Sequence, residues 1–404
     1  MTVQDGIVAP RARDLIQALP DSKIRQISAL GMDNPDVIPL WFGESDEITP
    51  EFVREAAKQA IDAGHTFYTG NNGIPPLREE IRQYMSRVYE KPFETNRISV
   101  TASGMSAIVL TMQALVSPGD NVLVVEPVWP NCRETVSIMG GEPRRVALDE
   151  VDGVWSLDLD RMFSLADDRT TAIFINSPGN PSGWVMPEEQ IRAVLDWARP
   201  RGIWVICDDV YARLVYDADR APSFIALAEP DDRVIAVNSF SKTWSMTGWR
   251  LGWLTHPPAL EHEFAKLNEF NIAAPTSFVQ HAGIVALRDG EDYVADMRNR
   301  LRMRRDLVTR ALGQFDRVRY QAPDAAFYAF FALDGMTEDE QAEGLNYLVQ
   351  FLAVPNGVDL EAAMEAEPGR FRRIPAYTRL YRLMCAFVDE VEDDELARLL
   401  DAAL

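Results

Sequence analysis

Four short stretches of the chain each place chemistry-bearing residues directly after an apolar run. Asn176-Ser177-Pro178-Gly179-Asn180-Pro181-Ser182-Gly183 follows the run 173–175. Cys207-Asp208-Asp209-Val210-Tyr211 follows 203–206, and Asn238-Ser239-Phe240-Ser241-Lys242 follows 234–237 and leads on to Gly248-Trp249-Arg250. Thr101-Ala102-Ser103-Gly104-Met105-Ser106 follows 98–100 and opens a helical pattern. In an open α/β sheet, ligands sit outside the carboxyl ends of the strands. These stretches would therefore present Ser-Gly amides, an Asn, an Asp with a Tyr, and a Lys with an Arg to one crevice. That set answers the needs of pyridoxal phosphate. A lysine amine forms a Schiff base with the aldehyde. A carboxylate keeps the ring nitrogen protonated, and a protonated ring is the better electron sink. An Asn amide and a Tyr hydroxyl are neutral donors for the phenolic oxygen. Helix-start amides, a hydroxyl and an arginine hold the phosphate.

The elements that must position these residues are legible as patterns. The runs 122–125, 172–175, 203–206 and 234–237 are apolar throughout, as expected of strands buried between helix layers in a parallel sheet. Helical spacing lies between them, as in Ile191, Val194, Leu195 and Ala198. The alternation predicts an α/β domain. Thr49-Pro50-Glu51 reads as a helix start with a hydroxyl cap and proline at the first helical position, and 77–89 as a second amphipathic helix. A charged helix is expected over 290–312. Strand-like pieces at 326–333 and 380–387 and a last helix follow it, suggesting a smaller α+β domain. The division expected is a large cofactor-binding domain over 46–289 and a small domain from 1–45 and 290–404.

Composition narrows the function classes. The chain has 404 residues, with 62 acidic and 40 basic side chains and a formal charge of −22. That charge opposes binding to nucleic acid or to an anionic membrane surface. Apolar runs fall far short of the ~20 residues that cross a bilayer, and the N-terminus does not resemble a signal peptide. Three scattered cysteines, Cys132, Cys207 and Cys385, suggest a reducing cytoplasm and no disulfide framework. The four histidines lie far apart, so no metal site is expected.

Taken together, the motifs resemble the fold-type I, pyridoxal-phosphate-dependent aminotransferases of class I/II, over nearly the whole chain from Leu40-Trp41-Phe42-Gly43-Glu44-Ser45-Asp46 onward. The resemblance implies a mostly parallel sheet between helices, an α+β small domain and a homodimer acting in amino-acid metabolism. By similarity, Lys242 in S-x-S-K is the Schiff-base lysine and Asp208 the ring-nitrogen partner. Tyr211 and Asn180 resemble the donors to the phenolic oxygen, and Trp129 the aromatic that stacks on the ring. Ser103, Gly104, Met105, Ser239 and Arg250 resemble the phosphate cradle. Tyr68 resembles the tyrosine that reaches the neighbouring subunit's phosphate. Arg382 resembles the arginine that grips the substrate α-carboxylate, and Gly43 the substrate-contacting glycine. Trp129 and Asn180 would also face substrate.

The sequence departs from the family pattern in three places. The usual Asp-Glu pair is Asp208-Asp209. The stretch Pro-Gly-x-x-Phe-Gly is replaced by Ala353-Val354-Pro355-Asn356-Gly357-Val358 and an insert over 359–379. Met105 stands where some acid-specific relatives carry a lysine, which together with Ile24, Trp41 and Phe42 predicts a neutral amino donor over a dicarboxylic one. Two other readings compete with amino transfer. One is a lyase on the same scaffold, either a C–S β-lyase or one like aminocyclopropane-carboxylate synthase. The other is a sensory module without activity.

Overall fold

The computed structural model describes residues 3–4, 7–8, 11–29, 32, 41–151, 154–314, 316 and 318–333. Its centre is a seven-stranded sheet. In chain order the strands are β1 (Ile98–Thr101), β2 (Asn121–Glu126), β3 (Glu142–Ala147), β4 (Thr170–Asn176), β5 (Trp204–Asp208), β6 (Val234–Ser239) and β7 (Gly252–Thr255). Across the sheet they run β1-β7-β6-β5-β4-β2-β3. The pairs β3/β2, β2/β4, β4/β5 and β5/β6 are parallel, and β7 lies antiparallel between β6 and β1.

The apolar runs are continuous because both faces of the sheet are covered. Leu123, Val125, Ile173, Ile175, Val205 and Ala236 pack into one core with Leu77, Ile81 and Ile191. The alternate residues Val122, Val124, Ala172, Phe174, Ile206 and Val237 pack into a second core with Ile108 and Leu110. Along these central runs each side chain therefore leaves water whichever way it points, which favours Val and Ile at successive positions, whereas the edge strand β3 is only partly buried and carries Glu142, Arg144 and Arg145.

Helices α1 (Glu51–Asp62), α2 (Pro75–Tyr89), α3 (Gly104–Leu115), α4 (Pro130–Ile138), α5 (Glu188–Ala198), α6 (Phe240–Thr243), α7 (Glu261–Ile272), α8 (Ser277–Asp289) and α9 (Glu291–Leu312) surround this sheet. Two expectations need correction. Pro50, not Thr49, is the cap residue of α1, and no side chain caps that helix. The Thr49 hydroxyl instead donates to the Ser245 carbonyl and accepts from Trp249 Nε1 at 2.9 Å, tying the start of α1 to the loop beyond Lys242. Only Ala332–Leu333 of the stretch 326–333 is a strand, paired with Val318–Arg319. The preceding turn passes through Ala326 at φ +62°, which extended pairing cannot accommodate. The piece at 380–387, the insert over 359–379, the final helix, Cys385 and Arg382 lie outside the described residues.

Candidate active site

The register of the sheet brings the strand ends level. Asn176 pairs with Asp208, and Asp208 with Val237. Gly252 pairs with both Ser239 and Thr101. The four motif stretches therefore leave the sheet along one edge, as the apolar runs required. A Cβ on Gly252 would stand 2.8 Å from the Gly104 nitrogen and 2.7 Å from the Asn238 carbonyl oxygen, so only glycine lets the start of α3 approach the Lys242 strand this closely. Gly104 in turn lies against Ser239, whose Cβ would be 3.1 Å from a Cβ added there.

Serine hydroxyls cap the two helices that start at this edge. Ser103 caps α3, its Oγ accepting from the Ser106 amide at 2.9 Å. Ser239 caps α6, its Oγ accepting from the Ser241 amide at 3.1 Å. The two capped helix starts lie next to each other, Gly104 being in contact with Ser239. Arg250 closes the loop in the left-handed region at φ +55°, and Ser245 shares that region at φ +49°. Two such non-glycine residues cost on the order of 1–3 kcal/mol each and persist only where the surroundings enforce them. Arg250 Nη1 donates to the Thr247 carbonyl at 2.6 Å, and its charge is felt at Lys242.

Asp208 is 5 % exposed. Burial pushes its carboxyl up to about 7, against the Val210 amide at 3.2 Å and the charge of Lys242, which favour the ionised form. A buried carboxylate is costly unless a cation meets it, and a protonated ring nitrogen is a cation of the required kind. Burial pushes the Lys242 amine down to about 8, while Glu44 and Asp208 hold it up and Arg250 opposes them. Its Nζ donates to the Gly43 carbonyl. The donor set therefore fits pyridoxal phosphate: amine, buried carboxylate, phenol and two capped helix starts lie together.

Tyr211 is buried, and burial raises its phenol well above the ordinary value. The Asn180 amide approaches its hydroxyl. Asn180 is placed by Asn176, whose Oδ1 accepts from the Asn180 amide nitrogen at 2.7 Å while its Nδ2 donates to the Asp208 carbonyl at 3.1 Å. Asn176 is thus a positioning residue that the motif reading passed over, although its place at the last strand position was a signal. Trp129 precedes α4 and packs on the second core. Cys132, one turn on, is buried near Asp208, whose charge helps raise its thiol. Met105 Sδ meets Asn131 Nδ2 at 3.8 Å.

Tyr68 stands apart from these residues and is 91 % exposed, beside Phe67 at 82 %. Tyr328 was missed altogether. Its hydroxyl bonds to that of Tyr211, and no motif marks it, because an aromatic pair in a strand-like piece reads as core.

The sequence pattern of aminotransferases of class I and II matches residues 35–372. The chain belongs to this family. It is 33 % identical over 338 residues to an aspartate aminotransferase of Pyrococcus horikoshii, covering 83 % of this chain and 86 % of that one. The solved aspartate aminotransferase of Rhizobium meliloti superposes with a TM-score of 0.78 at 30 % identity, covering 85 % and 89 % of the two chains. An alanine aminotransferase from Pyrococcus furiosus gives 0.77 at 28 %, covering 84 % and 88 %. The fold is that of the fold-type I aminotransferases. This aminotransferase is an enzyme that moves an amino group between an amino acid and a 2-oxo acid, and its relatives give the lyase alternative no support.

Proposed function

We propose that this aminotransferase uses pyridoxal 5'-phosphate held through Lys242, between an α-amino acid and a 2-oxo acid. The observation that carries the reading is the meeting of the Lys242 amine and the buried Asp208 carboxyl at one sheet edge, beside the capped starts of α3 and α6. Bound there, the cofactor supplies an electron sink for negative charge at the substrate α-carbon. Asp208 holds positive charge on the ring nitrogen. Ser103, Gly104, Met105, Ser239 and Arg250 hold the phosphate, Trp129 covers the ring, and Asn180 and Tyr211 donate to the phenolic oxygen. The Lys242 amine moves the proton at the substrate α-carbon, and an amine pushed down to about 8 is poised for that task. Gly43 borders the substrate, and Arg382 binds its α-carboxylate.

The acting unit is a homodimer in which Tyr68 completes the partner's site. Its near-complete exposure on one chain supports that reading. Residues 46–289 form the large domain and 1–45 with 290–404 the small one. Among the described residues no helix is long and apolar enough to cross a membrane. The two buried free thiols, Cys132 and Cys207, fit a reducing compartment, and we place the protein in the cytoplasm.

Reduction of the holoenzyme with borohydride followed by peptide mapping tests the reading. The pyridoxyl label is expected on Lys242, and a label on another lysine overturns it.

A further inference from the structure

Tyr328 touches two parts of the site at once, Tyr211 and Gly43. Its hydroxyl shares a hydrogen bond with that of Tyr211, and the two rings meet edge to face with centroids 5.8 Å apart at 77°. A Cβ on Gly43 would run into the same hydroxyl, and the Gly43 carbonyl is the acceptor of Lys242. The neighbouring Phe327 ring lies 5.7 Å from the Tyr211 ring and 6.0 Å from Lys242 Nζ. Burial pushes both phenols upward, so each keeps its proton at neutral pH.

A phenol has one proton and two lone pairs. In a pair of phenols one donates and the other accepts. If Tyr211 gives its proton to the phenolic oxygen of the cofactor, only Tyr328 has a proton left for the bond between them. We propose that Tyr328 is a positioning residue for Tyr211, donating into the Tyr211 oxygen and so fixing the direction and strength of the hydrogen bond that Tyr211 offers to the cofactor. This rests on the cofactor reading above. A donor that itself accepts a hydrogen bond is polarised by it and donates more strongly. Stronger donation stabilises negative charge on the phenolic oxygen. That oxygen then holds the proton shared with the Lys242 nitrogen less firmly, and the linkage loses its proton at lower pH.

Tyr328→Phe keeps the ring and removes the proton. Two readouts apply: the pH titration of the visible band of the Lys242-bound cofactor, and the affinity of the apoprotein for pyridoxal phosphate. The titration midpoint is expected to rise by about 0.5 pH unit, a roughly 3-fold gain in proton affinity, and cofactor binding to weaken by a similar factor. Tyr328→Leu also lacks the donor and is expected to raise the midpoint equally, so a failure of the first variant to fold leaves the second to decide. In a Tyr211→Phe background the Tyr328→Phe change is expected to move nothing, because the residue it acts through is gone. An unmoved midpoint in a wild-type background, or the same rise with and without Tyr211, overturns the proposal while leaving the cofactor reading standing. A wild-type protein that develops no visible band with the cofactor overturns both.

Discussion

Arg300 holds Glu47 with two nitrogens of its guanidinium, at 2.8 and 2.9 Å, across 253 residues of chain. One turn along the same helix, Arg304 holds Asp46 at 2.8 and 3.0 Å. Tyr293 adds its hydroxyl to Glu47 at 3.1 Å and meets Ser245 at 2.7 Å. Gly43, whose carbonyl accepts from the Lys242 amine, lies three residues before Asp46, so the α9 ion pairs hold the stretch that carries this acceptor.

Loss of that anchor should show in substrate handling more than in stability. The Arg300–Glu47 pair is partly exposed, and such pairs contribute about 0.2–1 kcal/mol. Glu47→Gln is expected to raise KM for the amino donor severalfold, with a smaller change in kcat and a melting temperature close to wild type. Exchanging the charges, Glu47→Arg with Arg300→Glu, should recover most of the loss. Steady-state kinetics on the three proteins checks this, and an unchanged KM in Glu47→Gln would show that the segment holds its place without the pair.

Asp208→Asn should slow turnover by roughly 100-fold or more, about 2.7 kcal/mol of transition-state stabilisation, with cofactor still bound. The amide cannot oppose a ring charge, while the residues proposed to hold the phosphate are untouched. Single-turnover kinetics with the cofactor occupancy measured alongside separates the two effects. A variant near the wild-type rate would reduce Asp208 to a strand-end residue.

Burial pushes both Asp208 and Asp209 up to about 7, with Ser223 and Tyr89 holding Asp209 down. Between about pH 4 and 7 the folded apoprotein then binds more protons than the unfolded chain. Its stability should fall as pH rises through that window, by at most about 1.4 kcal/mol per pH unit for each group. Lys242 acts oppositely: its amine is pushed down to about 8, so its contribution grows as pH rises from there toward 10.5. Urea midpoints of the apoprotein across the acid window should decline with pH, and Asp208→Asn should flatten the decline. A rising profile in wild type would contradict the burial of these carboxyls.

Met105 with Ile24, Trp41 and Phe42 leads us to expect a neutral donor, while the Arg25 guanidinium lies on the Phe42 ring at 4.7 Å. Catalytic efficiency for phenylalanine, leucine and alanine is expected to exceed that for aspartate. A tenfold preference for aspartate or glutamate, about 1.4 kcal/mol, would overturn that expectation, and its loss in Arg25→Gln would identify the cation.

Tyr68, Phe67 and Phe270 are 91 %, 82 % and 84 % exposed on one chain. Sedimentation should show a dimer, and Tyr68→Phe should weaken cofactor binding without dissociating it. A fully active monomer would refute the shared site.

The strands, the helices between them and the motif at each strand end were legible in the sequence. A strand covered on both faces must be apolar at every position, and residues at its carboxyl end have one place to go. The placement of Asp208 at a strand end, and of Lys242 and Asn180 just beyond one, follows from that rule, because those signals are local. The cap at Thr49 failed because a hydroxyl takes the best partner in space, and that partner was Ser245, 196 residues away. The same reason hid Tyr328, the Asn176 bonds to Asp208 and Asn180, and the α9 ion pairs to Asp46 and Glu47. The sequence alone determined which residues end the central strands and which functional groups those residues bring. The tertiary structure decided which distant side chains press against them, because burial and contact depend on how the elements pack, and packing leaves no mark at the spacing of a motif.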